Sequence, residues 1–168
     1  SFLAASDQVI ETQFIWAPFL YGFIPTDRTN LAPSTIKNSI RALKNGEVLG
    51  VFPEGTSLSN VLRPAKNGAA FLSATAKTHL LPIGITGLEN AWEMMFRGVR
   101  PSVNIRIGKP FGPFTLSKSK NDKERDLNEI GSEIMCRIAA LLPENIHGAF
   151  KHNNTINDYR KKNGLPDF

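Results

Sequence analysis

The chain of 168 residues has a single cysteine, Cys136. An internal disulfide is therefore excluded, and so is a zinc site built on thiolates. Cys136 falls in a helical pattern between Met135 and Arg137 with no histidine at helical spacing, so a buried structural thiol in a reducing compartment is expected rather than a nucleophile. Long hydrophobic runs are also missing. The longest uncharged stretch, Thr12 to Thr26, is 15 residues and is broken by Pro18 and Pro25, short of the ~20 apolar residues of a spanning helix. The opening residues Ser1-Phe2-Leu3-Ala4-Ala5-Ser6 have no basic segment before them and do not read as a signal peptide. Without an initiator Met, the chain is expected to start partway into a longer gene product. Repeats and low-complexity tracts are lacking too, and the composition makes disordered and fibrous classes poor fits.

A composition of 41% hydrophobic and 21% charged residues fits one globular domain with one core. Lys and Arg outnumber Asp and Glu by 20 to 15, giving a net charge of +5 and a pI near 9.5. That balance favours anionic partners such as phosphates or acidic lipid head groups, or it is simply a solvated basic surface. Nucleic acid is not expected as a partner, because the positive charges are scattered and no base-reading motif is present.

Helical and strand patterns alternate along the chain. Ile36, Ile40 and Leu43 recur at helical spacing after Ser34 or Thr35 as a cap, and Gly46 closes that helix. Val48-Leu49-Gly50-Val51-Phe52 is a continuous apolar run that predicts a strand covered on both faces. A small-residue helix from Ala69 to Thr78 and a second apolar strand, Leu80 to Ile85, complete a predicted right-handed βαβ unit. Ser102 to Ile107 alternates polar and apolar residues, a strand with one wetter face. Leu127, Ile130, Ile134, Ile138, Leu141 and Leu142 predict a long amphipathic helix ended by Pro143. The predicted class is α/β, a central, mostly parallel or mixed sheet flanked by helices over residues 1–142. Residues 143–168, with the cluster Arg160-Lys161-Lys162, are expected as a loosely packed polar tail that Phe150, Ile156 and Tyr159 could dock.

In open α/β sheets ligands collect at the carboxyl ends of the strands. Phe52-Pro53-Glu54-Gly55-Thr56 follows the first predicted core strand. Pro53 stops the ladder, Gly55 permits close backbone approach, and the amides with the Thr56 hydroxyl are suited to donate to phosphate oxygens. Glu54 is suited to orient a neighbouring Arg or to accept from a substrate hydroxyl. A plain turn would have the same residues.

This segment resembles the Phe-Pro-Glu-Gly-Thr block of the lysophosphatidic acid and glycerol-phosphate acyltransferases. Other blocks appear in order: Gly22 to Arg28, Lys66-Asn67-Gly68-Ala69-Ala70, Leu81 to Gly87, and Ile105 to Pro110. The resemblance implies acyl transfer from acyl-CoA or acyl carrier protein to a lysophospholipid or glycerol-phosphate hydroxyl, without cofactor or metal. It implies that Arg28 with Glu54, Gly55 and Thr56 binds the acceptor phosphate, a match to the donor fork of a guanidinium. Lys66 adds positive charge there or is solvated; Pro53 and Pro82 shape the site. A membrane surface is the implied workplace, on its cytoplasmic face.

The chain departs from the family in two places. The family's first block is Asn-His, four further residues and then Asp, with the His as general base on the acceptor hydroxyl. Here the histidines are His79, His147 and His152, and five positions after them stand Gly84, His152 and Asn157. A chain beginning inside the domain accounts for the missing pair, and a catalytically silent lipid- or phosphate-binding module is the alternative. In the third block Ser57 replaces the usual Arg after Thr56, and Arg63 is a candidate to replace its charge.

Phe14, Trp16, Phe19, Tyr21 and Phe23 form an aromatic stretch, and Trp92, Met94, Met95 and Phe96 stand close to Arg97 and Arg100. Each group reads either as core or as a membrane-interface patch.

Overall fold

The computed structural model describes residues 2–5, 23–26, 33–55, 60–88 and 90–165. Strands β1 (Phe2–Ala5) and β2 (Phe23–Thr26) pair in parallel, Phe2 opposite Phe23. Helix α1 is Pro33–Lys44 and α2 is Gly68–Ala76. Strands β3 (Ile83–Thr86) and β4 (Asn104–Ile107) pair antiparallel, with the short helix α3 (Ala91–Phe96) in their connection. The long helix α4 (Lys120–Ala139) is followed by two 3₁₀ turns, Glu144–Ile146 and Gly148–Phe150, and by α5 (Thr155–Asn163). The α/β class stands, but the predicted central sheet is replaced among the described residues by one parallel and one antiparallel pair.

The predicted βαβ unit is not formed there either. Val48–Phe52 is irregular apart from a bridge residue at Gly50, and Val48 and Phe52 are 85% and 75% exposed. An apolar run states that a segment can be buried, whereas a strand exists only where a neighbour completes its ladder. Strand β3 finds that neighbour in β4 rather than in the 48–52 run.

Helix α1 begins at Pro33, whose fixed φ and missing N–H suit a first helical position. Gly46, at φ 81°, closes it. Its buried residues are Thr35, Ser39 and Ala42, while the expected Ile36, Ile40 and Leu43 are half-buried. The buried stripe is thus rotated by one residue onto small side chains, which lets α1 lie against the Ala- and Ser-rich α2. The Ser39 hydroxyl donates to the Thr35 carbonyl at 2.8 Å, so its burial leaves no donor unsatisfied.

Sheet β3–β4 is also oriented against expectation. Ile83 pairs with Ile107 and Ile85 with Ile105, and all four are exposed. The opposite face carries Gly84, and a Cβ there would lie 2.9 Å from the Leu141 Cβ. The glycine lets the backbone seat directly on the end of α4, and that contact decides which face turns outward.

Helix α4 follows the predicted pattern. Leu127, Ile130 and Ile134 pack with Ala69, Ala70 and Phe111 in one cluster; Met135, Cys136 and Ala139 pack with Leu62, Leu142 and Ile156 in a second. Ile138 touches both. Cys136 is buried, accepts from the Asn153 amide at 3.1 Å, and burial pushes its thiol pKa up.

Residues 144–165, the described part of the predicted tail, are packed rather than loose. Ile156 and Arg160 are 3% and 6% exposed. Arg160 donates through Nη2 to the Leu142 carbonyl at 3.0 Å and through Nε to the Ala140 carbonyl at 3.4 Å. Ala140 is the C-cap of α4 and Leu142 follows two residues on, where carbonyls past the last helical turn need donors from outside the helix. The His147 Nε2 donates to the same Leu142 carbonyl at 3.0 Å, which fixes the proton on that nitrogen. The Arg137 guanidinium lies 4.2 Å from the Phe111 ring centre and 4.3 Å from that of Tyr159, and Glu133 binds it at 2.7 Å. Charge and aromatic faces therefore tie α5 to α4 where composition shows mostly polar residues.

Arg160→Met removes both carbonyl contacts and should lower the unfolding free energy by about 1–3 kcal/mol, and Ile156→Ala by about 2–5 kcal/mol. Urea denaturation of the two variants checks this. Unchanged midpoints in both would mean that the C-terminal helix is not part of the cooperative unit.

Candidate functional site

Residues Phe52–Gly55 make a tight turn closed by the Gly55 N–H donating to the Phe52 carbonyl at 3.1 Å. Pro53 occupies its second position, where a fixed φ near −65° is favoured. Gly55 has φ 65°, in the left-handed region. Because the Gly55 N–H is spent on the turn, it is not among the donors left for a ligand, contrary to the expectation from sequence.

A second segment, Asn60 to Lys66, faces this turn. The Lys66 N–H donates to the Pro53 carbonyl at 2.8 Å, and the Arg63 N–H donates to Glu54 Oε2 at 3.0 Å. Just before Arg63, Leu62 is buried in the second core cluster, and Ala65 packs against that cluster, close to Gly131 of α4. The Lys66 side chain runs over Gly55: a Cβ on Gly55 would meet Lys66 Cδ at 2.8 Å and Nζ at 3.3 Å. The glycine therefore makes room for a lysine stem rather than for a ligand, and holds the ammonium above the turn. The exposed side chains of Arg63 and Lys66 add two cations to one rim.

Glu54 is the anionic member. Burial raises its pKa above the ordinary 4.5, while the Arg63 N–H and the Arg63 charge pull it down by less. Its carboxylate holds Arg63 by the backbone N–H.

Of the residues implied for phosphate binding, Glu54, Gly55 and Lys66 come together here with Pro53. Arg28 and Thr56 lie outside the described residues, as do Ser57 and the aromatic stretch from Phe14 to Tyr21. Pro82 is buried at the entry to β3, where its carbonyl accepts from the Gly108 N–H at 2.9 Å and its ring packs on Gly108. His79 and His152 are exposed, and His147 is committed to the Leu142 carbonyl. Sequence reasoning missed the support behind the rim. The Leu62 N–H donates to the Ile146 carbonyl at 2.9 Å, and the Ala149 N–H donates to the Leu62 carbonyl at 3.3 Å. Only Gly148, placed between them, hints at such a close approach in the sequence.

The raised pKa of Glu54 has a defined sign for stability. Below the ordinary glutamate value both folded and unfolded states are protonated and the group contributes nothing. As pH rises, the unfolded chain ionises first, so the folded state is penalised through and above its raised value. Glu54→Gln should therefore match the parent chain near pH ~4 and become the more stable of the two as pH approaches ~7, measured by urea unfolding across that range. A variant less stable at neutral pH would show that the Arg63 interactions outweigh burial.

The family model described as Acyltransferase matches residues 2–86, just over half of the chain. The chain is 37% identical over 86 residues to the 1-acyl-sn-glycerol-3-phosphate acyltransferase of Bacillus subtilis (strain 168), covering 51% of this chain and 41% of that protein. It is 30% identical over 124 residues to the enzyme of that name from Streptococcus pneumoniae (strain ATCC BAA-255 / R6), covering 72% of this chain and 44% of that one. It thus spans less than half the length of either. In fold it is similar to the crystal structure of the 1-acyl-sn-glycerophosphate (LPA) acyltransferase PlsC from Thermotoga maritima. The TM-score is 0.52 at 21% identity, over 79% of this chain and 54% of that one. With the family model spanning the ordered blocks from β1 to the end of β3, the chain belongs to the glycerolipid acyltransferase family.

Proposed function

We propose that the protein serves phospholipid biosynthesis by acyl transfer from acyl-CoA or acyl carrier protein to a hydroxyl of a lysophospholipid or glycerol phosphate. The acceptor phosphate sits at the rim where the Arg63 and Lys66 cations stand over the Gly55 turn. The observation that supports this reading most is the Lys66 ammonium held above a turn whose Gly55 has no side chain to obstruct it. The two bacterial relatives, both 1-acyl-sn-glycerol-3-phosphate acyltransferases by name, support the acceptor class, a 1-acylglycerol 3-phosphate.

In the transfer, the acceptor oxygen attacks the thioester carbonyl, the carbon–sulfur bond breaks, and the hydroxyl proton passes through a base to the departing thiolate. These 168 residues contain no His followed five positions later by Asp. The silent phosphate-binding module is therefore a second reading, favoured by that departure alone. Calorimetric titration with glycerol 3-phosphate should detect binding, weakened about fivefold to tenfold by Lys66→Ala or Arg63→Ala, the loss of one charge-assisted contact. The purified chain should give no acyl transfer from acyl-CoA, because the missing base withholds a factor of roughly 10² to 10⁴. Absence of binding would refute the acceptor site, and measurable transfer would refute the silent module.

We propose that an amphiphilic acceptor is met at a membrane surface, on its cytoplasmic face. Among the described residues no helix is long and apolar enough to cross a membrane. The connection holding α3 offers an interfacial contact instead. Met95, Phe96 and Val99 are 56%, 87% and 50% exposed beside Arg97 and Arg100. Apolar side chains at that exposure enter the head-group region while arginines meet anionic lipid, at about 1 kcal/mol per cation. The chain should sediment with anionic vesicles at low salt, release as salt rises, and ignore neutral ones. Phe96→Ser with Met95→Ser should reduce the bound fraction without changing stability; binding that survives both changes would move the contact elsewhere.

A further inference from the structure

The family model ends at residue 86, yet the backbone closest behind the acceptor rim comes from residues 144–150. We infer that this C-terminal segment is a positioning element of the rim, acting through Leu62 and with Gly148 as its critical residue. The inference rests on reading the Gly55, Arg63 and Lys66 rim as an acceptor phosphate site.

The connection is short and continuous. Leu62 is bound on both sides of its peptide, its N–H to the Ile146 carbonyl at 2.9 Å and its carbonyl to the Ala149 N–H at 3.3 Å. Its side chain is buried against Met135, Cys136 and Ile156. The next residue is Arg63, whose N–H holds Glu54 at 3.0 Å. Three residues further, Lys66 closes on Pro53 and covers Gly55. A shift of Leu62 therefore moves both rim cations relative to the turn.

Gly148 sets how near the two segments come. It has φ 53°, and a Cβ there would lie 2.3 Å from the Leu62 carbonyl oxygen and 3.1 Å from the Leu62 nitrogen. Backbone atoms cannot swing aside as a flexible side chain does, so any larger residue forces the 146–149 segment and Leu62 apart. The segment is itself anchored, by Ile156 in the same cluster and by His147 and Arg160 on the Leu142 carbonyl.

Gly148→Ala tests this against a matched control. Gly164 is also left-handed, at φ 66°, but a Cβ there meets nothing within 4 Å. Gly164→Ala therefore carries a similar backbone penalty at the other end of α5 without touching Leu62. Gly148→Ala should weaken glycerol 3-phosphate binding about tenfold or more, the order expected when binding groups are displaced by about an ångström. Gly164→Ala should leave the affinity of the parent chain unchanged. Equal affinity in Gly148→Ala and the parent overturns the positioning role while leaving the rim itself intact. No binding by the parent overturns the rim reading and this inference together.

Native-state hydrogen exchange on the unmodified chain gives a second measurement if Gly148→Ala does not fold. The amides of Leu62, Arg63 and Lys66 should lose protection in the same opening step as those of Ala149 and Ile156. Protection of Arg63 and Lys66 that persists after the C-terminal segment opens would overturn the inference.

Discussion

Helix α4 is the shared wall on which the described structure depends. Its one flank closes a cluster with α2 and Phe111, and its other flank closes a cluster with Leu62 and α5. Ile138 belongs to the boundary of both. A helix of 20 residues with apolar positions on two adjoining stripes can do this because its buried arc is wider than a single coiled-coil seam. Its end matters as much as its flanks. The carbonyls of Ala140 and Leu142 are satisfied by Arg160 and His147, so the helix terminus organises everything that follows Pro143.

The candidate site inherits its geometry from this wall. Ala65 lies near Gly131 of α4, and Leu62 is packed into the cluster that Met135, Cys136 and Ala139 line. Arg63 and Lys66 thus stand on a segment with two buried anchors, and they face a turn that Pro53 and Gly55 shape from the other side. Exposed cations alone are weak, mobile donors with much rotamer entropy to lose. Laying the Lys66 stem across a glycine and fixing the Arg63 backbone on a half-buried carboxylate restricts them before any ligand arrives.

Charge is used twice in the molecule, with different results. Arg137 and Arg160 are held by aromatic faces, by Glu133 and by helix-end carbonyls, and they work as structural cations that join α5 to α4. Arg63, Lys66 and Arg100 keep their side chains exposed, where an anionic ligand or surface can reach them, and the exposed Arg97 is paired with Glu93 at 2.6 Å. The net charge of +5 does not separate these groups; burial does.

Much of this was legible in the sequence. The 3.6-residue pattern of Leu127, Ile130 and Ile134 determined α4, the small residues from Ala69 onward determined α2, and the ordered blocks around Phe52 to Thr56 determined the family. Those features are local: a periodicity states what one element can bury, and a block states which residues a turn contains. What covers each element is a different question, and only tertiary structure decided it. Val48 to Phe52 reads as a buried strand, yet among the described residues it shows no more than a bridge residue at Gly50 and its two ends are exposed, and Ile105 and Ile107 face outward because Gly84, not an isoleucine, fits against Leu141. Residues 143–165 read as polar, yet they dock through backbone hydrogen bonds and carbonyl contacts, whose donors and acceptors every residue carries alike. Such contacts leave no pattern in the order of side chains, so the support behind Leu62 became visible only once the chain was folded.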